Sequence, residues 1–349
     1  MLGNKKSEAL LANIRNGQPM SQNEKLKLIV SLSIPSILAQ ITTVMMFFID
    51  ASMVGHLGAE ASASIGLVES TTWLMGSVMS AASMGFSVQV SHFIGANDFF
   101  KARQVFRHGL LCGLAFSLII ATIGTSIHSV LPLWLGGGND INHDASQYYL
   151  VFSLTMPFIL LFHLSASMIK CSGNMQLPSL MSVLLCVLDV IFNYLFIYML
   201  HLGVVGAAIG TSMAYISTSL PIAWMATRRN KILALQLDNV PFKWVWDYVT
   251  KAIRISLPMA IQSVLMSGAQ IVSTLIVAPL GNIAIASNSF AITAESLCYM
   301  PGYGIGDAAT TLVGQTYGAG RKDLCKSFAH MTVGLGMLVM AFMGLIMYI

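Results

Sequence analysis

Five carboxylates lie within or at the ends of long apolar runs: Asp50, Glu69, Asp189, Glu295 and Asp307. Holding such a group in hydrocarbon costs roughly 2.5–3.5 kcal/mol at a helix centre, so by default it marks a functional site. Asp189 and Asn193, in LCVLDVIFNYLFIYM, are four positions apart. On a helix they share one face and present oxygens to one point. Together with Asp50 they would line an oxygen-rich cavity. Desolvation raises the pKa of a carboxylate and a bound cation lowers it, so a group of this kind can exchange a proton for a cation near neutral pH. A coupled antiporter requires that property. The competing account makes Asp189 and Asn193 interhelical glue, worth little more than about 1 kcal/mol in a membrane. For Glu69 the functional and structural accounts stand level.

These acids need long membrane helices to position them. The 349-residue chain is 56% hydrophobic and 9% charged, against roughly a quarter charged in soluble proteins. This is the composition of a polytopic membrane protein, and the uninterrupted apolar runs predict an all-α fold. Spans are expected near 28–54, 62–93, 108–135, 146–170, 177–200, 204–227, 255–278, 284–316 and 328–349. If the basic tail 1–27 is cytoplasmic, all 18 Lys and Arg residues fall on the cytoplasmic side of these spans. The positive-inside rule thus sets nine spans with the N-terminus in the cytoplasm. The net charge of +4 then has a topological origin and requires no nucleic acid partner.

A repeat organises the chain. Pro35 and Pro258, Leu57 and Leu280, Gly58 and Gly281, and Gly95-Ala96 and Gly318-Ala319 all lie 223 positions apart. The first span therefore corresponds to the seventh, and both halves enter the membrane from the same side, as parallel repeats do. The expected organisation is a cytoplasmic tail (1–27), a first six-helix lobe (28–227), a cytoplasmic linker (228–254) and a partial second lobe of three helices (255–349). Two six-span repeats would make twelve spans, and the chain stops at Ile349 inside an apolar run, so either three spans are missing, the favoured reading, or the protein is a nine-span variant. Ser273 takes the position equivalent to Asp50, so Glu295, in a Gly-rich span containing Pro301, is the candidate coupling or substrate residue of the second lobe. Asp307, nearer the cytoplasmic end, is expected to be solvated, and His163 to be a hydrogen-bonded core residue.

Other chemistries find little support. Histidines and the five cysteines form no ligand cluster, which predicts no transition metal and no disulfide. GxxxxGK[ST] is absent, which argues against ATP hydrolysis. No cofactor is expected beyond Na⁺ or H⁺ as coupling ion. The 23 methionines read as packing residues that can also suit varied apolar ligands.

Pro35, Asp50 and Val54-Gly55-His56-Leu57-Gly58, then Gly95-Ala96-Asn97, Gly203-Val204-Val205-Gly206-Ala207-Ala208, Met300-Pro301-Gly302, Leu312-Val313-Gly314-Gln315 and Gly318-Ala319-Gly320 resemble the multidrug and toxic compound extrusion (MATE) family. The resemblance runs from about residue 25 to the end. It implies a MATE-like helical bundle, here six helices of the first lobe and the first three of the second. It also implies export of small amphipathic drugs or toxins through a bacterial cytoplasmic membrane in exchange for Na⁺ or H⁺. By the same resemblance Asp50 is the coupling acid of the first lobe. Asp189 and Asn193 fall on the family's Asn/Asp pair in helix 5 with the order exchanged, and Met266 stands where many relatives carry a glutamate in helix 7. Three alternatives stand beside it. A lipid-linked sugar flippase of the same superfamily would need cationic residues in the cavity, and the inside-only Lys and Arg argue against it. An intramembrane aspartyl protease would use the Gly304-Ile305-Gly306-Asp307 match to GxGD, with Asp189 as partner. An inactive membrane subunit would be the outcome of truncation.

Overall fold

The computed structural model describes residues 2–237 and 242–348. Among them are eleven α-helices and no strand. The linker is thus described only in part, and its Pro241 lies outside the described residues. The helices are α1 (Leu2–Arg15), α2 (Gln22–Gly55), α3 (Ala59–Gly95), α4 (Phe99–Ile127), α5 (Leu131–Trp134), α6 (Asn142–Cys171), α7 (Gln176–Asn193), α8 (Gly203–Trp224), α9 (Trp246–Val277), α10 (Asn282–Gly318) and α11 (Lys322–Tyr348). Nine of these have at least 18 residues, and each overlaps one of the nine expected spans. Seven, counting α7 and α8 with the turns that extend them, are both long and apolar enough to cross a membrane. The other two, α3 and α10, are each 37 residues long and are diluted with Ser, Gly, Thr and Gln, because both lie at the centre of the packing. The outer faces of α9 and α11 are the reverse: Leu265 and Leu338 are 70% and 72% exposed.

Helix ends explain where the expected boundaries move. α2 starts at Gln22, six residues before the expected span, because Ser21 and Glu24 form a reciprocal capping box. Ser21 Oγ accepts from the Glu24 amide and the Glu24 carboxylate accepts from the Ser21 amide. The first 27 residues thus include the start of α2 and the separate helix α1. α1 lays Leu11 and Ile14 against Leu28, Ile29 and Leu32 of α2, Ala308 and Leu312 of α10, and Phe328 of α11. The third expected span, 108–135, is instead α4, which begins at Phe99 behind an Asp98 cap, followed by the separate turn α5.

The repeat is visible in the backbone. Gly58 and Gly281 cap α3 and α10 with nearly the same geometry, φ +119° and +100° and ψ 174° and 173°. α3 and α10 then cross at equivalent positions. A Cβ on Gly95 would overlap the Gln315 carbonyl and one on Gly318 would overlap the His92 carbonyl, while Gln315 and His92 are themselves 223 apart. α2 packs on α10 as α9 packs on α3. Each half's first helix thus lies against the other half's second, the reciprocal pattern of a twofold relation.

Basic residues gather at one end of the bundle. Arg103 and Arg107 of α4 donate to the Ile232 and Leu235 carbonyls at 2.9 and 2.8 Å. Lys25 of α2 donates to Ser327 of α11 at 3.1 Å, and Arg321 donates to the Gln18 carbonyl. This is termed the basic end.

Candidate functional site

Asp50 sits in the last turns of α2, toward the end opposite the basic one. α7 delivers Asp189 and Asn193 from its final turn, one above the other on a single face. Both are fully buried. The Asn193 side-chain NH₂ donates to Asp50 Oδ1 at 2.7 Å and to Asp189 Oδ2 at 3.1 Å, so one amide bridges two carboxylates on different helices. The three residues singled out from the sequence are therefore one cluster.

Local backbone fits this arrangement. Directly after Asn193 the chain widens into a π-helical turn, Tyr194–Met199, a feature frequent at functional sites. Within it Tyr198 donates its hydroxyl to the Met53 carbonyl at 2.7 Å, which ties the end of α7 to α2 just past Asp50. On the other side, α8 approaches through Gly210, where a Cβ would overlap Asn193 Oδ1. Only glycine leaves room for the amide there.

The cluster is rich in acceptors and poor in donors. Asp189 Oδ1 and Asn193 Oδ1 are buried and have no hydrogen-bond partner. Neither Asp50 nor Asp189 enters an ion pair among the described residues. Buried acceptors left in this condition are costly, and a proton or a bound cation relieves the cost. No group of three or more His, Cys, Asp or Glu gathers among the described residues, so the donor set is two carboxylates and one amide. It is an oxygen site, which suits a hard cation or a proton and not a thiophilic metal.

Three neighbours were not anticipated from the sequence. Tyr148 of α6 lies in the field of Asp50, Glu69 and Asp189, and Tyr215 of α8 in that of Asp189 and Asp50. Thr211 of α8 lies beside Asp189. A signal existed for two of them: Gly210-Thr211 and Tyr215 are one turn apart on α8, so they share a face. Tyr148 stands near a helix start and resembles an ordinary interfacial tyrosine. Close by, the Phe47 and Trp73 rings pack 4.7 Å apart, and Trp73 Nε1 is buried without an acceptor.

The remaining candidates fall elsewhere. Glu69 is half-buried on α3 and joins the same electrostatic neighbourhood through Tyr148. Glu295 is exposed on α10, near Tyr299, and does not join the Asp50 group among the described contacts. Met266 is 56% exposed on α9. Asp307 is not simply solvated: Lys170 Nζ lies 2.6 Å from its Oδ2, and both side chains are largely covered. A GxGD protease would need Asp307 and Asp189 together, yet Asp307 is paired with Lys170 and Asp189 with the Asn193–Asp50 cluster.

The MatE family model matches residues 35–195 and 258–349, the two halves either side of the linker. The chain belongs to the MatE family. Among similar proteins is "Probable multidrug resistance protein NorM" of Thermotoga maritima, 26% identical over 329 residues, covering 93% of this chain and 70% of that protein. Another is "Multidrug export protein MepA" of Staphylococcus saprophyticus, 25% identical over 259 residues, covering 73% of this chain and 56% of that protein. Solved structures agree on the fold. A MOP superfamily transporter from Pyrococcus furiosus superposes with a TM-score of 0.82 at 24% identity, over 90% of this chain and 70% of that one. The outward-facing conformation of a multidrug resistance MATE family transporter gives the same TM-score, identity and coverage. This MatE chain is a multi-pass membrane protein whose relatives are transporters and not enzymes.

Proposed function

We propose that this MatE protein is a secondary antiporter that exports amphipathic organic cations in exchange for Na⁺ or H⁺. Its first six long helices form one lobe and α9–α11 belong to the second, with the basic end in the cytoplasm of a bacterial cell, as the positive-inside rule predicts. The observation that carries the reading is the bridge from Asn193 to both Asp50 and Asp189, with no basic partner for either carboxylate among the described residues.

The chemistry follows from charge balance. With both carboxylates ionised and no cationic side chain beside them, the cluster stays buried only if a proton or a cation offsets the charge. Asn193 orients one oxygen of each carboxylate and leaves Asp189 Oδ1 and its own Oδ1 as open acceptors. A coupling ion and a cationic cargo then compete for the same negative charge, so loading one favours release of the other. Tyr148, only partly buried, offers its ring and hydroxyl beside that charge, which suits an aromatic cation, and the buried Tyr215 lies in the same field.

The test is dye export from cells. Cells expressing the wild-type chain are expected to extrude ethidium, and Asp50→Asn to abolish extrusion at equal membrane expression. Full extrusion by Asp50→Asn would overturn the assignment.

A further inference from the structure

A groove of about 300 Å³ runs between α3, α4, α6 and α9, well away from the Asp50 cluster. Its wall includes Phe86, Cys112, Gly113, Leu160 and Ala260, and no charged side chain lines it. Ile253 and Leu257 of α9 also line it and are 57% and 55% exposed, so the groove opens sideways onto the exposed apolar side of α9.

Its lower mouth lies at the basic end, because the lining residues Val249, Ala252 and Ile253 belong to the first turns of α9. There the segment leading into α9 forms an aromatic step. Trp246 is 70% exposed, and Trp244 packs edge-on against it at 5.4 Å and against Phe242 at 6.2 Å. The step is held in place by the Val245 amide, which donates to His108 Nε2 at 2.9 Å. Exposed tryptophans of this kind mark a membrane–water boundary. In the chain Arg254 follows the groove residue Ile253, in the early turns of α9, and Lys243 belongs to the aromatic step. Both are exposed, and neither enters an ion pair among the described residues, whereas nearby Lys251 is tied to Asp247 at 2.6 Å.

We propose that this groove is a binding site for an anionic phospholipid, with an acyl chain in the groove and the phosphate at Arg254 and Lys243. The apolar groove, the exposed aromatics and the unpaired basic side chains on the segment that leads into and begins α9 together fit that one ligand class. An organic cation fits poorly, since the unpaired charged side chains of this segment are positive and no carboxylate lines the wall. The site stands independently of the transport reading.

Photocrosslinking of the full chain in lipid nanodiscs tests it. The probes are phosphatidylglycerol and phosphatidylcholine, each with a diazirine in the acyl chain, and adducts are mapped by peptide mass spectrometry. Adducts are expected to concentrate on residues 109–116 and 249–260, with phosphatidylglycerol exceeding phosphatidylcholine by more than ~tenfold, given two basic residues at about fivefold each. Arg254→Gln is expected to lower that ratio about fivefold. Ala260→Phe, which fills the groove, is expected to remove the adducts there while those on the exposed face of α11 persist. The proposal is overturned if wild-type adducts spread evenly over α9 and α11, if the two lipids label the groove equally, or if ethidium displaces the lipid from it. The wild-type comparison decides the matter even if a variant fails to fold.

Discussion

Gly314 of α10 rests against Ser91 of α3, the residue 223 positions before it, so the two halves touch at equivalent positions. A contact between equivalent residues marks the axis of a twofold relation. The Gly95–Gln315 and Gly318–His92 approaches flank it reciprocally.

Packing at that axis gives a stability prediction. In an open helix position Gly→Ala stabilises by about 1 kcal/mol through propensity. At Gly314 a methyl would overlap Ser91 Oγ and press on its Cβ, and a serine has no long side chain to swing aside. Gly314→Ala is therefore expected to destabilise by roughly 1–3 kcal/mol, the usual scale of overpacking. Gly306→Ala, on the same helix with nothing within 4 Å of the added carbon, is expected to be neutral or stabilising. Thermal melting in detergent compares the two.

The Lys170–Asp307 pair links α6 to α10, and Gln40 of α2 approaches the same carboxylate at 3.5 Å. Removing one partner leaves a largely covered charge without its counterion. Lys170→Met and Asp307→Asn are each expected to cost about 2 kcal/mol, the scale of a hydrogen bond to a charged group. The double exchange, Lys170→Asp with Asp307→Lys, is expected to recover at least half of the loss of either charge-reversed single variant. Melting of all variants measures this, and additive losses in the double exchange would show that the two residues do not act as a pair.

Gly210 tests whether the amide is functionally placed. Gly210→Ala is expected to push the Asn193 amide away from one carboxylate, reducing ethidium export at least tenfold while membrane expression stays near normal. Unchanged export would mean that the orientation of Asn193 does not matter. Tyr148→Phe keeps the ring and removes the hydroxyl, so its effect on export separates stacking from hydrogen bonding at that position.

Much of this was legible in the sequence because membrane constraints are one-dimensional. Apolar run lengths and the confinement of Lys and Arg to alternate connecting segments indicated nine long helices, and the paired Pro, Leu-Gly and Gly-Ala anchors revealed the repeat. The four-residue spacing of Asp189 and Asn193 placed them on one face, and intramembrane carboxylates are rare enough to stand out. Contacts between distant helices were less legible. Nothing local to Asp307 reports Lys170 on another helix, so solvation was the natural expectation. Tyr148 and Tyr215 acquire meaning only once α6 and α8 are seen beside α7. The docking of α1 was hidden for a similar reason: Leu11 and Ile14 in a basic tail show no partner until α2, α10 and α11 converge beneath them.

The central claim is that one charge at the Asp50–Asp189–Asn193 cluster is held alternately by the coupling ion and by cargo. Ion release on cargo addition measures it directly, using purified protein in weak buffer with a pH indicator, or protein preloaded with ²²Na⁺. The wild-type chain is expected to release protons or Na⁺ when ethidium is added, and Asp50→Asn to release none. Release from Asp50→Asn equal to that of the wild type would contradict the account.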